Sequence, residues 1–318
     1  MGTAAQSVNK IAQNHIVTTY IRENPEKYIL LDEEGIHALQ NCLLKMLKEF
    51  SDFCVATDLK FAILGGCLIG KIRHGGFIPW DDDVDVIMPR EDFDRLKEIL
   101  PASEMNEKYI LKGPGCKDGA DFRCVKLYKR NSFLKEALVR TNCENKIFID
   151  IMPVDHVPEN KVHRTLKGLR CDLLIGLIGC IEYKQVACKE LKQLMHQSFS
   201  RRVNHFVRTV VGTVLSVRPL DKWYRVFDRA SVYNKPSKLL TIATGKLFYF
   251  GEIIAEDAMY PFRKDTFCGV DVWVPNDCDA YLKHRYGDYM TVPDEKHREG
   301  HYVEKIIVDT DDDTALRR

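Results

Sequence analysis

Four aspartates, Asp81, Asp82, Asp83 and Asp85, crowd into one short segment of this chain. The alternation of Asp83 and Asp85 with valines predicts a strand that points both carboxylates to the same face. Two carboxylates so close repel each other, so either one is neutralised by a raised pKa or a cation keeps both charged. A hard divalent ion that prefers oxygen ligands, such as Mg²⁺ or Mn²⁺, fits the second alternative.

Two adjacent glycines, Gly65 and Gly66, precede the acidic segment. Because they lack a Cβ, their backbone N–H groups can approach a ligand closely, as in turns that cradle phosphate. Together with the carboxylate pair, they suit an enzyme that moves a phosphorylated group from a nucleotide. A solvated acidic loop beside an ordinary turn is the alternative, and it is the commoner origin of a lone Asp-x-Asp. The apolar residues at 77–80 and 86–88 argue against it, since burying unpaired charge is costly.

The composition is that of a soluble globular protein, with 318 residues, 45% hydrophobic and 29% charged. This length predicts one large domain with insertions or two lobes. The formal net charge of +1 provides no overall basic field, so no nucleic-acid partner is expected. The longest apolar run, 173–181, is far shorter than the roughly 20 residues that span a bilayer. It predicts a buried helix, with docking at a membrane surface as the alternative.

The cysteines and residues 1–25 indicate the cellular compartment in which the protein works. The chain has 11 cysteines and no Cys-x-x-Cys, which argues against both a disulfide framework and a zinc ribbon. Free thiols in a reducing compartment are expected. Residues 1–25 lack a continuous apolar core, so no secretory signal is predicted. The prediction is a cytoplasmic location, which includes the inner face of the membrane.

The elements that must position these residues follow from apolar spacing and breakers. Helices are predicted over 33–56, 67–74 and 91–100, and strands over 61–64, 77–88, 122–128 and 146–152. Residues 159–230 are predicted to be largely helical. Their basic clusters, Lys167 with Arg170, Arg201 with Arg202, and Arg225 with Arg229, indicate either a solvated helix face or a face for a phosphate-rich acceptor.

Asp150 lies inside the apolar run of the last predicted strand. A carboxylate brought from a separate strand would complete an oxygen site with Asp83 and Asp85. The domain prediction is a lead-in at 1–28, a catalytic core at 29–158, a helical region at 159–240, a part completing the core at 241–308 and a frayed tail at 309–318.

These motifs resemble the LicD-type transferases, which are related to the fukutin group. The most specific match is Ile78-Pro79-Trp80-Asp81-Asp82-Asp83-Val84-Asp85. Other matching elements are Gly65-Gly66, Gly70, 73–75, 148–155, Val274-Pro275, Tyr281-Leu282, 286–290, Pro293 and His301. One departure is Cys268, which stands where many relatives have an acidic residue ahead of a glycine.

The resemblance implies an α+β fold with a nucleotidyltransferase-like core, in which helices pack on a small mixed sheet, plus a largely helical insertion. It implies Mg²⁺ or Mn²⁺ held by Asp83, Asp85 and Asp150. The implied donor is a CDP-linked alcohol, usually CDP-choline, and the acceptor is a cell-surface glycan, teichoic acid, lipopolysaccharide precursor or lipid-linked saccharide. Alternatives are a ribitol- or glycerol-phosphate transferase, a nucleotidyltransferase that releases pyrophosphate, and a non-catalytic nucleotide-binding protein.

Roles for further residues follow from this mechanism. The N–H groups of Gly65 and Gly66 are expected to cradle the donor diphosphate. Asp150 is either the third metal ligand, which we favour, or the base that takes the acceptor proton.

Four more side chains are predicted to bind substrate. Arg73 and His74 follow the glycines by about two helical turns and could point at phosphate. Trp80 could stack on cytosine or on a choline cation, or anchor the core. His301 is expected to contact the nucleotide or the acceptor, because Gly300 disfavours a helical zinc pair with His297.

Overall fold

The computed structural model describes Lys27 and residues 29–136, 144–185, 199–294, 298 and 302–309. The strands are β1 (Ile29–Leu30), β2 (Ala62–Ile63), β3 (Asp85–Pro89), β4 (Tyr109–Lys112), β5 (Val125–Lys129), β6 (Phe133–Glu136), β7 (Phe148–His156), β8 (Leu239–Thr241), β9 (Ile254–Ala255), β10 (Arg263–Phe267), β11 (Val270–Val274) and β12 (Tyr302–Ile307). The helices are α1 (Glu33–Ala56), α2 (Gly65–His74), α3 (Arg90–Ile99), α4 (Met105–Lys108), α5 (Lys161–Gln185), α6 (Phe199–Leu215), α7 (Leu220–Ser231), α8 (Phe248–Gly251), α9 (Glu256–Met259) and α10 (Cys278–Tyr286), with a 3₁₀ turn at Leu100–Ala102.

The central sheet has the order β2-β3-β7-β5-β4, and β8 and β9 extend it from β7. The pairing of β3 with β7 is parallel, whereas β2, β5 and β8 pair antiparallel with their neighbours. Two smaller sheets are formed by β1-β12-β6 and by the β10-β11 hairpin. This arrangement confirms the expected α+β class with helices packed on a small mixed sheet.

Helix α1 has the predicted bounds because local residues define both its start and its apolar face. The Asp32 side chain accepts a hydrogen bond from the backbone N–H of Gly35 and caps the helix. Leu39, Leu43, Leu47 and other residues of the same face are buried in the main core.

Two boundaries around the acidic segment differ from the prediction. Helix α2 starts at Gly65 rather than at residue 67, so both glycines form its first turn. Strand β3 starts at Asp85 rather than at residue 77, because a turn in which Asp81 N–H donates to the Ile78 carbonyl bends the preceding chain. Asp83 therefore lies before the strand, and the prediction that it alternates with Asp85 along one strand is wrong.

The predicted helical middle is confirmed for its described part, since α5, α6 and α7 account for it. A second apolar cluster forms where Cys171, Leu174 and Ile178 of α5 meet Tyr224 and Phe227 of α7. The run at 173–181 lies in α5 and is buried on one face only. None of the helices in the described ranges is long and apolar enough to cross a bilayer.

The cysteines that the structure describes are all free thiols, and most are buried. This confirms the expectation of free thiols for that part of the chain. Cys143, Cys188 and the tail from residue 310 lie outside the described ranges.

Candidate active site

Strands β3, β7 and β5 place three charged residues in one row across the sheet. Asp85 pairs with Asp150 in the parallel register, and Asp150 pairs with Lys126 in the antiparallel one. The backbone N–H of Asp150 also donates to the Val84 carbonyl at 3.0 Å. The two predicted strand aspartates are therefore neighbours, a juxtaposition that the sequence by itself does not show.

The other acidic residues approach this row from the irregular segment before β3. Carboxylate oxygens of Asp81, Asp82 and Asp83 all lie within 4.8 Å of one another, and each residue is half-buried. Within the described ranges, this trio is the acidic group whose oxygens lie this close together; Asp85 and Asp150, the other two predicted ligands, are not part of it and lie on the paired strands β3 and β7. A cation bound to Asp83 would therefore also lie near the carboxylates of Asp81 and Asp82, which were not among the three predicted ligands.

Asp85 is a strongly perturbed carboxyl group of this site. Burial raises the pKa of its carboxyl well above the usual value, and the charges of Asp83 and Asp150 add to that effect. Lys126 acts in the opposite direction. A buried carboxyl among like charges is the first of the two alternatives expected from the sequence, and it is also a group that a divalent cation would convert to its ionised form.

Lys126 is a site residue that the sequence reasoning missed. Its ammonium lies 2.8 Å from Asp150 Oδ1, and the residue is buried. Burial alone would lower the pKa of Lys126, but the charge of Asp150 raises it above the ordinary value. The ammonium also lies 3.3 Å from the ring centre of Phe148 and 5.0 Å from that of Phe122. A sequence signal for Lys126 does exist: it is a lysine inside the strand predicted over 122–128. Its pairing with Asp150 places both side chains on one face of the sheet.

Gly65 and Gly66 bring the start of α2 against the carboxylates. A Cβ on Gly65 would lie 2.7 Å from Asp85 Oδ2, and one on Gly66 would lie 2.3 Å from Asp81 Oδ2. Gly65 also has a φ of +59°, which favours glycine. The glycines thus leave room for two aspartate side chains at the helix N-terminus, a position that favours negative charge.

Gln40 of α1 holds the backbone of the acidic segment in place through hydrogen bonds. Its Nε2 donates to the carbonyl of Asp81 at 2.8 Å and to that of Ile78 at 3.1 Å. The Cys67 thiol approaches the Asp83 carbonyl at 3.7 Å. These buried contacts hold the segment in its bent course and so set the positions of the three consecutive carboxylates.

A cleft of about 320 Å³ opens beside the row. Asp82, Asp83, Asp150 and Lys126 line one part of it. The remainder is lined by aromatic, acidic and apolar side chains: Leu43, Asp121, Phe122, Tyr128, Leu134, Glu136, Glu144, Ile147, Phe148 and Val303. The cleft therefore joins the carboxylate group to a half-apolar space large enough for a small organic group.

The remaining predicted substrate contacts lie at the C-terminal end of α2. Arg73 donates through Nη1 to the carbonyls of Tyr289 and Thr291, at 2.7 and 3.3 Å, and through Nε to His74. These bonds fasten α2 to the loop after α10. His301 lies outside the described residues.

Trp80 joins this end of α2 to the acidic segment. Its ring packs edge-on against His74, with centroids 6.3 Å apart, and the Arg298 guanidinium lies 4.1 Å from its centroid. The residue is half-buried and packs on the main core. Its ring therefore both anchors the segment to the core and contacts the Arg298 guanidinium.

Cys268, the departure from the LicD pattern, is exposed at the tip of the β10-β11 hairpin. A Cβ on Gly76 would lie 2.9 Å from its sulfur. The thiol thus borders the turn that leads into the acidic segment.

Comparison with known proteins matches residues 58–170 to the LicD/FKTN/FKRP nucleotidyltransferase domain. The lipopolysaccharide cholinephosphotransferase LicD of Haemophilus influenzae is 25% identical over 267 residues, which cover 83% of this chain and 95% of that protein. The human ribitol 5-phosphate transferase FKRP is 36% identical over 65 residues, which cover 19% of this chain and 13% of that protein. The matched domain contains the glycine turn, the acidic segment and Asp150. The resemblance indicated by the motifs is thereby confirmed, and the chain carries a LicD-type domain.

Proposed function

We propose that this protein is a metal-dependent transferase that moves a phospho-alcohol from a CDP-linked donor onto a glycan hydroxyl. The donor that we favour is CDP-choline. The observation that carries the proposal is the in-register pair Asp85 and Asp150, of which Asp150 lines a cleft together with Asp83. Such a set of carboxylates is costly to bury and is suited to phosphoryl transfer, in which charge on the leaving phosphate must be neutralised.

The side chains present fit a hard divalent cation. All the candidate ligands are carboxylate oxygens, and burial, together with the charges of Asp83 and Asp150, raises the pKa of Asp85. Asp83, Asp85 and Asp150 would hold Mg²⁺ or Mn²⁺, with Asp81 and Asp82 close by. The bound ion would supply charge neutralisation at the departing CMP phosphate.

In the proposed reaction, an acceptor hydroxyl oxygen bonds to the phosphorus of the phospho-alcohol. The bond from that phosphorus to the bridging oxygen breaks, and CMP leaves with the electron pair. The hydroxyl proton passes to a base or to solvent. Lys126 forms an ion pair with Asp150 and would add a positive charge beside the donor diphosphate.

The choice of donor rests on the extent of the two likenesses. The likeness to a cholinephosphotransferase runs over most of both chains, whereas the likeness to FKRP is confined to a short segment. Phosphocholine is therefore our first choice and ribitol phosphate our second. The acceptor class that we propose is a glycan or a lipid-linked saccharide.

The test is product formation by purified wild type, Asp83→Asn and Asp85→Asn. CDP-choline, CDP-ribitol and CDP-glycerol are each incubated with Mg²⁺ and a glycan pool, and CMP and pyrophosphate are both quantified. We expect CMP from one donor and a loss of at least about 100-fold in both variants. Asp94→Asn, an exposed change on α3, is the matched control. Turnover that survives in both variants, or pyrophosphate as the product, would overturn the proposal.

A donor-binding measurement separates an inactive binding protein from an enzyme whose acceptor is missing. Thermal stability is measured with each CDP-alcohol, with Mg²⁺ or with EDTA. The true donor stabilises by mass action only when the metal is present. Metal-dependent stabilisation without CMP release from any glycan fraction would support the non-catalytic alternative.

A further inference from the structure

Two stripes of exposed apolar side chains lie on α5 and α6, away from the carboxylate cleft. On α5 the stripe is formed by Val162, Leu166, Leu169 and Leu173. On α6 it is formed by Val203, Phe206, Val207, Val210 and Val214. These side chains are between 45% and 68% exposed. The spacing in each set is three or four residues, so each set lies along one side of its helix.

Both stripes face the same side of the molecule. Cys180 of α5 lies about five full turns after Val162, on the same side of that helix as the stripe. The backbone oxygen of Cys180 would lie 2.4 Å from a Cβ on Gly212, so α6 packs on this side of α5. Val210 and Val214 stand two positions from Gly212, about 200° around α6, and therefore point away from α5. The α6 stripe continues outward in the direction that the α5 stripe faces.

The charges beside the stripes are mostly basic; Asp172, next to Leu173, is half-buried and accepts a hydrogen bond from the Tyr249 backbone N–H. The sequence from 161 to 170 contains four Lys or Arg and no Asp or Glu, and the same is true from 199 to 218. Lys161, Arg170 and Arg202 are exposed at the edges of the apolar stripes. The opposite side of α5 is already occupied, because Cys171, Leu174 and Ile178 are buried against α7. The core-packing side of α5 is therefore a different side of the helix from the exposed apolar stripe.

We infer that this surface of α5 and α6 docks on an anionic lipid bilayer. A helical face with large exposed apolar side chains, bordered mainly by basic residues, is the pattern of interfacial binding. Apolar side chains enter the headgroup boundary, and Lys and Arg attract anionic lipid. The inference goes beyond the transfer chemistry, because none of these residues lines the cleft.

The test is flotation of the full chain with vesicles, in EDTA and without donor. Wild type is expected to float with vesicles of phosphatidylcholine containing about one-third phosphatidylglycerol, and less with pure phosphatidylcholine or at high salt. Leu166→Asp combined with Phe206→Asp is expected to lower the partition coefficient at least about tenfold. Val55→Asp, an equally exposed apolar change on α1, is the matched control and should float as wild type does.

A second variant separates charge from apolar contact. Arg170→Gln with Arg202→Gln should weaken binding to the anionic vesicles about tenfold and leave the weak binding to neutral vesicles unchanged. Circular dichroism confirms that each variant is folded. CMP release from a soluble donor and acceptor should remain at the wild-type level in both double variants, so a failure of the docking surface is distinguishable from a failure of the transferase.

Wild type that stays at the bottom of the gradient with anionic vesicles would overturn the inference, as would a Leu166→Asp and Phe206→Asp variant that floats unchanged. Sedimentation velocity examines the competing occupant, a second copy of the chain. Self-association that the double apolar variant abolishes, without vesicle binding by wild type, would assign the surface to a subunit interface and reject the bilayer.

Discussion

Lys126 Nζ lies 2.8 Å from Asp150 Oδ1, and both residues belong to the row that β5, β7 and β3 form across the sheet. The pair joins the one buried cation of that row to the aspartate that we favour as the third metal ligand. A buried pair of this kind contributes little net stability as a pair, yet removing one partner leaves an uncompensated charge.

Replacing Lys126 by Met should therefore lower the free energy of unfolding by about 3–5 kcal/mol in EDTA. If Asp150 is a metal ligand, Mg²⁺ should restore part of this loss, because the ion compensates the same carboxylate. Denaturant titration with and without Mg²⁺ measures both effects. Lys108→Met, which removes an exposed partner of Glu49, should cost less than about 1 kcal/mol with or without the ion. An equal deficit of Lys126→Met in both conditions would argue against Asp150 as a ligand.

Asp85 should make the metal-free protein less stable as the pH rises. Burial and neighbouring carboxylates raise the pKa of Asp85 in the folded state above the ordinary value of 3.8. Its contribution is therefore fully present below that value and is lost as the pH rises through the raised pKa, at about 1.4 kcal/mol for each unit of difference. Asp85→Asn removes the loss, so in EDTA this variant should be more stable than wild type near neutral pH.

Thermal melts of wild type and Asp85→Asn across a pH series in EDTA check this expectation. Addition of Mg²⁺ should stabilise wild type more than the variant, since only wild type retains the carboxylate. Asp94→Asn should follow the wild-type curve. Parallel curves for wild type and Asp85→Asn would show that Asp85 ionises freely in the folded state.

Gly65 offers a direct test of the close approach between α2 and the carboxylates. Gly65→Ala should cost about 1–3 kcal/mol and reduce turnover strongly, because the new Cβ displaces the Asp85 side chain as well as straining a positive φ. Gly119→Ala has a similar positive φ with open space around its Cβ, so it isolates the strain. Unfolding and CMP release are measured for both variants. Equal loss of activity in both would mean that contact with Asp85 is not the cause.

Local sequence patterns predicted single helices and strands better than the way in which these elements meet at the site. The bounds of helix α1 agree with the prediction, because its long apolar stripe and the residues that end it are local features of the sequence. The pairing of Asp85 with Asp150 depends on a parallel register between distant strands, which no local pattern encodes. Lys126 was missed because a lysine in a strand is ordinarily exposed, and only the partner across the register explains its burial.

The bent course of the acidic segment was missed for a related reason. Period-two spacing of Asp83 and Asp85 predicted a strand, but contacts from α1 prevailed over that local pattern. The prediction starts helix α2 at residue 67, after both glycines, since glycine ordinarily ends helices. Here the glycines start one, because the side chains of Asp81 and Asp85 occupy the space that a Cβ would need.

Gln40 supplies the last prediction, because it holds the acidic segment without belonging to it. Its amide donates to two main-chain carbonyls, those of Ile78 and Asp81, from a position that is buried on α1. Gln40→Met keeps the volume but leaves both acceptors unsatisfied, so the free energy of unfolding should fall by about 1–3 kcal/mol. The freed segment should also require more Mg²⁺ for half-maximal CMP release, with a smaller effect on the rate at saturating metal.

Asn41→Ala, the exposed neighbour on the same helix, controls for a general effect on α1. A Gln40→Met variant that loses stability but keeps the wild-type Mg²⁺ requirement would show that Asp81, Asp82 and Asp83 hold their positions without this support.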